Sequence, residues 1–172
     1  WAWSSAVNER AANQQNVEPP AQTASSNKPV RVGNACFVYE PLSWWNPFAI
    51  VKGTVTARHE NEAFRDDIGF IYTPISVEVQ EVLSGNVQGS VLQFYETGGE
   101  MEDEIFRVDG IEPVPVGECA LFLIADNGII QLIGEQTGEG RYTFFPRVKD
   151  VPDNVSIEEL KAIIAKGAPE EG

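Results

Sequence analysis

Alternating apolar residues mark the longest strand that the sequence predicts. In the stretch IYTPISVEVQEVLSG, Ile71, Ile75, Val77 and Val79 fall on one face, while polar residues occupy the other. This period of two is typical of a β-strand with one buried and one solvated face. A second alternating run, AIVKGTVTA, contains Gly53 in its middle, where we expect a bend or a close approach of two backbones.

Shorter apolar runs predict the remaining strands. VLQFYE ends at Gly98-Gly99, and the doubly apolar run ALFLI is followed by Asp126-Asn127-Gly128, a hairpin signal between two apolar stretches. RYTFFPRV supplies the last strand, and the proline-containing residues 100–118 are expected to be irregular. The aromatic-rich residues 30–48 predict a short strand or an irregular cover.

The C-terminal segment changes to a helical period. In SIEELKAIIAKG, Ser156 and Glu159 have the spacing of a capping box, and Gly167 follows the last turn. One apolar stripe runs along this helix and consists of Ile157, Leu160, Ile163 and Ile164. Six strands and one terminal helix, 156–166, predict a mostly β fold, most simply a small OB-like antiparallel β-barrel. A β-sandwich is the alternative.

Composition divides the 172 residues into three parts. Residues 1–29 are dominated by Ala, Asn, Gln, Ser and Thr, so we predict a flexible N-terminal arm or linker that buries too little apolar surface to fold. Residues 30–167 form the predicted domain, and residues 168–172 form a tail. The start WAWSSAVNER lacks the features of a secretory signal, and we expect that a signal or membrane anchor has been removed.

The charge is strongly negative, with 26 acidic against 12 basic residues and a net charge of −14. Such a surface repels phosphate groups, which argues against nucleic acid and anionic membranes as partners. Solubility is the simplest consequence, and attraction of cations or basic partners is the second interpretation. Half of the net charge lies between residues 96 and 118, where Arg107 is the one basic residue. The acidic residues there are Glu96, Glu100, Glu102, Asp103, Glu104, Asp109, Glu112 and Glu118.

Candidate chemistry in this sequence is sparse. Calcium binding by the acidic residues 96–118 is conceivable, but their spacing matches no calcium loop, so we predict no metal and no cofactor. Cys36 and Cys119 form either one disulfide or two buried thiols, and we expect Cys119, which precedes ALFLI, in the core. Either cysteine could pair with His59, although no motif supports a nucleophile. We therefore predict no catalytic residue and no enzyme, with a secreted hydrolase using paired carboxylates as the alternative.

Several of these segments together resemble a known group of proteins. AIVKGTVTA, IYTPISVEVQEVLSG, Gly98-Gly99, VGECALFLI and GEQTGEGRYTFF follow in the order seen in a widespread group of exported bacterial proteins of unknown function. The resemblance covers residues 48–147 and extends more distantly to netrin/TIMP-type OB domains. It implies an OB-like barrel and an extracytoplasmic location, secreted or associated with the cell envelope. Metalloprotease inhibition is a weaker implication, because those inhibitors use a processed N-terminal cysteine, whereas Cys36 is internal.

An aromatic cluster supplies the predicted binding residues. Its members are Phe37, Tyr39, Trp44, Trp45 and Phe48. Buried, these rings would cap the barrel; exposed, they would form a binding patch. Adjacent tryptophans in an extended segment point to opposite faces, so we predict that Trp44 or Trp45, with Tyr39, binds a protein or glycan partner.

The sequence thus predicts an extracytoplasmic, non-enzymatic binding or assembly module, most simply protein-binding. Exposed carboxyls converging in a pocket would favour the hydrolase instead. A flat aromatic or edge-strand patch would favour the module.

Overall fold

The computed structural model describes residues 28–33 and 47–166, which are mostly β-strand with one C-terminal helix. Within these residues there are eleven strands, a 3-10 turn at Glu60–Glu62 and helix α1 (Ile157–Ala165). The strands are β1 (Val30–Gly33), β2 (Ala49–Arg58), β3 (Phe64–Arg65), β4 (Ile71–Ser84), β5 (Val91–Thr97), β6 (Gly99–Glu100), β7 (Ile105–Val108), β8 (Cys119–Ile124), β9 (Ile130–Gly138), β10 (Arg141–Phe145) and β11 (Val155–Ser156). In the described part of the chain, no helix has the length and apolar character to span a membrane.

The main sheet pairs its strands in the order β11-β10-β9-β8-β2-β4. Strand β5 lines one edge of β4, and the short β3 continues the position of β2 along the other edge. A single parallel bridge joins Tyr95 of β5 to Ile129, the residue before β9, and the Tyr95 N–H donates to the Gly128 carbonyl at 3.0 Å. The edge of β5 therefore meets the β8–β9 hairpin, whose turn lies at the predicted Asp126-Asn127-Gly128.

Strand β8 is buried on both faces, which explains its uninterrupted apolar run. Ala120, Phe122 and Ile124 pack into one cluster with apolar residues of β2, β4 and β5. Leu121 and Leu123 point to the opposite face and pack into a second cluster, which includes Leu160 of α1. The main sheet therefore separates two apolar cores.

Helix α1 begins with the predicted capping box. The Glu159 N–H donates to Ser156 Oγ at 3.1 Å, and the Ser156 N–H donates to Glu159 Oε2 at 2.9 Å. The predicted apolar stripe packs onto the sheet, with Leu160 fully buried and Ile157, Ile163 and Ile164 beside it. The prediction of a terminal helix that covers the sheet is confirmed.

The alternation in β2 and β4 is confirmed as well. Ile71, Ile75 and Val77 are fully buried. A side chain at Gly53 would place its Cβ 2.5 Å from Val77 Cγ1, so β2 and β4 approach too closely for any other residue. The first half of β4 departs from simple alternation, because Tyr72, which β3 and β5 flank, is buried on the face opposite Ile71.

The expectation of an irregular segment at residues 100–118 is wrong in part. Strand β7 pairs in parallel with β1 and antiparallel with β6, which makes a separate three-stranded sheet. Apolar packing holds this small sheet in place, because Phe106 and Val108 of β7 are buried against Ile71 of β4. Pro113 and Pro115 lie outside any strand, as predicted.

Residues 28 and 29 of the predicted arm pack against this small sheet. Lys28 Nζ lies 2.7 Å from Glu100 Oε1, and the Ile105 N–H donates to the Pro29 carbonyl at 2.9 Å. Residues 1–27, the remainder of the predicted arm, and 167–172 lie outside the described residues.

Candidate functional site

An open cleft of about 1340 Å³ lies between the acidic residues 96–113 and the turn that follows β2. We call it the acidic cleft. Its charged lining residues are Lys28, Arg58, Arg107, Glu60, Glu96, Glu100, Glu102, Asp103, Asp109 and Glu112. Carboxylates outnumber cations in this lining, and apolar side chains such as Val32, Met101, Ile105 and Ile111 lie between them.

Two glycines allow the backbone to pass tightly along one wall of the acidic cleft. Thr73 Oγ1 donates to the Gly98 carbonyl at 2.7 Å. A Cβ at Gly99 would lie 2.4 Å from the same hydroxyl oxygen, closer than any real contact. The Gly98-Gly99 pair, which the sequence identified as a strand end, is therefore required for the chain to turn from β5 into β6.

A buried ion pair attaches residues 96–118, which we call the acidic segment, to the main sheet. Arg58 Nη2 donates to Glu96 Oε2 and also to the Val114 carbonyl, the latter at 3.0 Å. The Val114 N–H donates to the other Glu96 oxygen at 3.2 Å. The Glu96 side chain is only 6% exposed, so its charge depends on Arg58 for compensation.

Two further arginines bind the start of the acidic segment at the surface. Arg31 donates to both carboxylate oxygens of Glu104, at 2.8 and 3.2 Å, and its guanidinium lies 4.4 Å from the Phe106 ring centroid. Arg65 donates to both oxygens of Asp103, at 2.9 and 3.0 Å. The hydrogen bond from Arg65 lowers the pKa of Asp103, and the hydrogen bond from Arg31 lowers that of Glu104.

Four carboxylates of the acidic cleft have no such partner. Glu60, Glu102, Asp109 and Glu112 are exposed, and none of them forms a hydrogen bond or ion pair with another side chain among the described residues. The same part of the chain contains no cluster of three or more residues that could hold a metal ion. The arrangement instead provides unneutralised negative charge beside apolar surface.

The predicted aromatic binding residues Tyr39, Trp44 and Trp45 lie outside the described residues, as does Phe37. Phe48, the last member of that cluster, is 49% exposed at the entrance to β2.

The expectation of a buried Cys119 is wrong. Cys119 is the exposed first residue of β8, and its thiol lies 3.5 Å from Gln80 Oε1. Burial of β8 begins one residue later, at Ala120. The predicted partner of the disulfide, Cys36, lies outside the described residues, so the bridge stays a prediction.

The conceivable pair of Cys119 and His59 is not assembled. Cys119 is opposite Thr54 on β2, and His59 lies five residues further along the chain, roughly 16 Å at the rise of a strand. His59 Nε2 instead lies 2.8 Å from Ser76 Oγ, and Nδ1 lies 3.7 Å from Glu62 Oε2.

Ser76, His59 and Glu62 follow one another in the order of a serine–histidine–acid triad. The surroundings of these side chains are nevertheless unsuitable for catalysis. Ser76 lies inside β4 between β2 and β5, where the backbone amides are used by the two ladders. A triad needs free N–H donors that stabilise the oxyanion. We therefore assign no acyl-transfer site to this cluster.

Sequence reasoning missed a surface cluster of three aromatic rings. Phe64, in the charged stretch HENEAFRDDIG between β2 and β4, lies 5.6 Å from the Tyr72 ring and 5.3 Å from the Tyr95 ring, measured between centroids. The Tyr72 hydroxyl donates to Asp66 Oδ2 at 3.0 Å. Burial, together with this hydrogen bond, raises the pKa of Tyr72 to about 12. The available signal was the aromatic Phe64 among charged residues, which indicates a contact across strands.

Comparisons with protein-family models, with curated proteins and with solved structures find no match for this chain. The resemblance of residues 48–147 to exported bacterial proteins thus stays a prediction.

Proposed function

We propose that this chain is a non-enzymatic binding module that holds a basic segment of a partner protein in the acidic cleft. The observation that carries this proposal is the set of four exposed carboxylates without a partner, placed beside apolar Val32, Ile105 and Ile111. Charge of one sign in a cleft attracts the opposite charge and increases the rate of association. The apolar residues between the charges add buried area once the partner is bound.

We further propose that the main sheet is an OB-like barrel. Strands β5-β4-β2-β8-β9 pair in this order, and the parallel bridge between Tyr95 and Ile129 links the two ends. This pairing supports the five-stranded, partly open Greek-key barrel of that class. Because one fold can host many functions, the argument for binding depends on the cleft and not on the barrel.

An extracytoplasmic location is part of the proposal. The location rests on the resemblance to exported proteins. Nucleic acid is an unfavourable partner, because the net charge of −14 repels its phosphate groups. A glycan was the other partner that the sequence suggested. The acidic cleft favours a protein segment, because carboxylates recognise cationic side chains and neutral sugars carry none.

The alternative of a hydrolase with paired carboxylates is less well supported, although the cleft does contain exposed carboxyls. A general acid in such an enzyme needs a raised pKa, whereas the pKa of Asp103 is lowered by Arg65. Glu96, the buried carboxylate of the cleft, is neutralised by Arg58. These contacts favour binding over acid catalysis.

The experiment measures binding of a fluorescein-labelled peptide, Lys-Lys-Val-Thr-Val-Thr-Lys-Lys, by fluorescence anisotropy. The cleft variant combines Glu102→Gln, Asp109→Asn and Glu112→Gln. The matched control removes the same charge at exposed acids outside the cleft and combines Glu81→Gln, Glu135→Gln and Glu139→Gln. We expect the cleft variant to bind at least about tenfold more weakly than the control, since each lost contact with a charged group weakens binding. Equal affinity of the two variants would refute the cleft as the site.

A further inference from the structure

Strand β1 has one paired and one unpaired edge in the described part of the chain. The Ile105 N–H donates to the Pro29 carbonyl at 2.9 Å, and the Asp109 N–H donates to the Gly33 carbonyl at 3.0 Å. Parallel pairing uses alternate residues of a strand, so residues 29, 31 and 33 direct their backbone groups towards β7. The backbone N–H and C=O groups of Val30 and Val32 therefore point away from β7, and we call this row of groups the β1 edge.

The side chains make the β1 edge both apolar and firmly held. Val30 and Val32 are 51% and 60% exposed, and they share a face with Ile105 and the exposed Arg107 of β7. Arg31 points to the other face, where it covers the Phe106 ring and donates to Glu104. The strand is thus fixed in place by Arg31 while both valines remain accessible.

Native proteins usually protect such an edge with a proline, a bulge or an inward-pointing charge. Residues 30–33 contain no proline, and their pairing with β7 runs without a register shift. By contrast, the edge of β5 is joined to the β8–β9 turn at Tyr95, and β11 has only two residues before α1 begins. Strand β1 therefore presents a regular four-residue edge without a proline or a bulge.

We infer that the β1 edge binds an extended segment of a partner protein by strand addition, with β-branched residues at the pairing positions and basic residues at the end that enters the acidic cleft. The inference rests on the proposed function and specifies how the partner binds. A free carboxylate stands at the C-terminal end of β1, where the Asp109 N–H donates to the Gly33 carbonyl, whereas Glu100 at the other end is paired with Lys28. Val32 also lines the acidic cleft, so the added strand continues directly into it. Main-chain bonds supply affinity in this mode, and the flanking charges supply specificity.

The decisive variant is Val32→Pro, tested with the same peptide. Proline at position 32 removes one of the two N–H groups that face the partner and leaves the bonds of Arg31 and Gly33 to β7 intact, a placement that edge strands tolerate. The matched control, Val32→Ala, keeps the N–H and shortens the side chain. We expect Val32→Pro to bind about tenfold more weakly than Val32→Ala, since a lost backbone hydrogen bond accounts for a change of that size.

A second measurement needs no protein variant. The peptide N-methylated at its two central residues keeps its charges but cannot pair on either edge, and we expect it to bind at least about tenfold more weakly to the unchanged protein. In hydrogen exchange, the amides of Val30 and Val32 should exchange freely until the unmethylated peptide is added. The amides of Arg31 and Gly33 should be protected throughout.

The outcomes separate this inference from the proposed function. If the cleft variant loses binding while Val32→Pro and the methylated peptide bind normally, the acidic cleft stands and strand addition is refuted. If neither set of changes matters, both proposals fail. Protection of the Val30 and Val32 amides in the free protein would also refute the inference. Protection that is independent of protein concentration would mean that the chain's own residues cover the edge. Protection that grows with concentration would mean that a second copy of the chain covers it.

Discussion

Strand β8 and the acidic segment, residues 96–118, are consecutive in the chain but are held in place by different forces. Phe122 and its neighbours in β8 are buried on both faces of the main sheet. The acidic segment has only two apolar anchors, the cluster around Phe106 and the single residue Val114 in the main core. Three arginines from distant parts of the chain, Arg31, Arg58 and Arg65, hold its charged residues. Apolar burial thus provides the rigid frame, while the acidic segment presents the charged groups that the proposed partner would contact.

The largest effect is expected where burial is complete. Phe122→Ala should lower the free energy of unfolding by about 4 kcal/mol, because the ring leaves a cavity between β2 and β9 that the sheet cannot close. The measurement is urea denaturation. Val116→Ala in the acidic segment, where the side chain is 55% exposed, should change the same quantity by less than about 0.5 kcal/mol. Similar decreases in the free energy of unfolding for the two variants would show that burial does not distinguish β8 from the acidic segment.

The second prediction concerns the buried ion pair, the strongest polar attachment of the acidic segment. Arg58→Ala leaves Glu96 buried without its cation, so we expect a loss of about 3 kcal/mol in the free energy of unfolding and faster hydrogen exchange at Val114. The double variant Arg58→Met with Glu96→Met leaves no unpaired charge and should regain much of that loss. If the double variant is less stable than the single one, the penalty does not come from the buried charge.

The third prediction concerns the capping box of α1, at the C-terminal end of the rigid frame. Ser156→Ala removes the acceptor of the Glu159 N–H and should destabilise the protein by about 1 kcal/mol, read from the urea midpoint. Ser84→Ala, at the exposed end of β4, serves as the control and should have little effect. An unchanged midpoint for Ser156→Ala would mean that packing of Leu160 alone determines the position of α1.

The smallest effect is expected at the exposed ion pairs of Arg65. The pKa values of Asp103 and Glu104 are lowered in the folded protein from their ordinary values of 3.8 and 4.5. When the pH falls into this range, the folded protein therefore binds fewer protons than the unfolded chain. The stabilisation is therefore fully present above pH 4.5 and is lost as the pH falls through the lowered values. Wild type should be more stable than Arg65→Gln at neutral pH, and the difference should vanish in acid.

The measurement is urea denaturation of both proteins across this pH range. Arg107→Gln is the control, since Arg107 is exposed and forms no ion pair with a described residue. A stability difference between wild type and Arg65→Gln that grows as the pH falls would contradict the assignment.

The frame was largely predictable from the sequence, and the candidate site was not. The alternation in β4 and the stripe of α1 are local patterns, so Ile75, Val77 and Leu160 are recognisable as core without knowledge of any partner. The two-faced burial of β8 also follows from its continuous apolar run. In contrast, the exposed Cys119 shows that residue type alone does not determine where burial begins along a strand.

The acidic cleft could not be predicted because its ion pairs join residues that are far apart in the chain. Arg58 and Glu96 are 38 positions apart, and Arg31 and Glu104 are 73 apart. The sequence identified the excess of carboxylates between residues 96 and 118 but could not distinguish those that are neutralised from those that remain free. A charged side chain can occupy almost any exposed position, so the carboxylates show no periodic pattern in the sequence.

The sequence by itself determined the strands β2 and β4, the turn at Asp126-Asn127-Gly128 and the beginning of α1. Each of these features depends on neighbours within a few residues, through side-chain alternation, turn conformation or capping. Only the tertiary structure decided that β7 pairs with β1, that Arg58 neutralises Glu96 and that Val32 lies on an accessible edge beside the cleft. These contacts form after the chain closes long loops, and their energies depend on distances that no local pattern specifies.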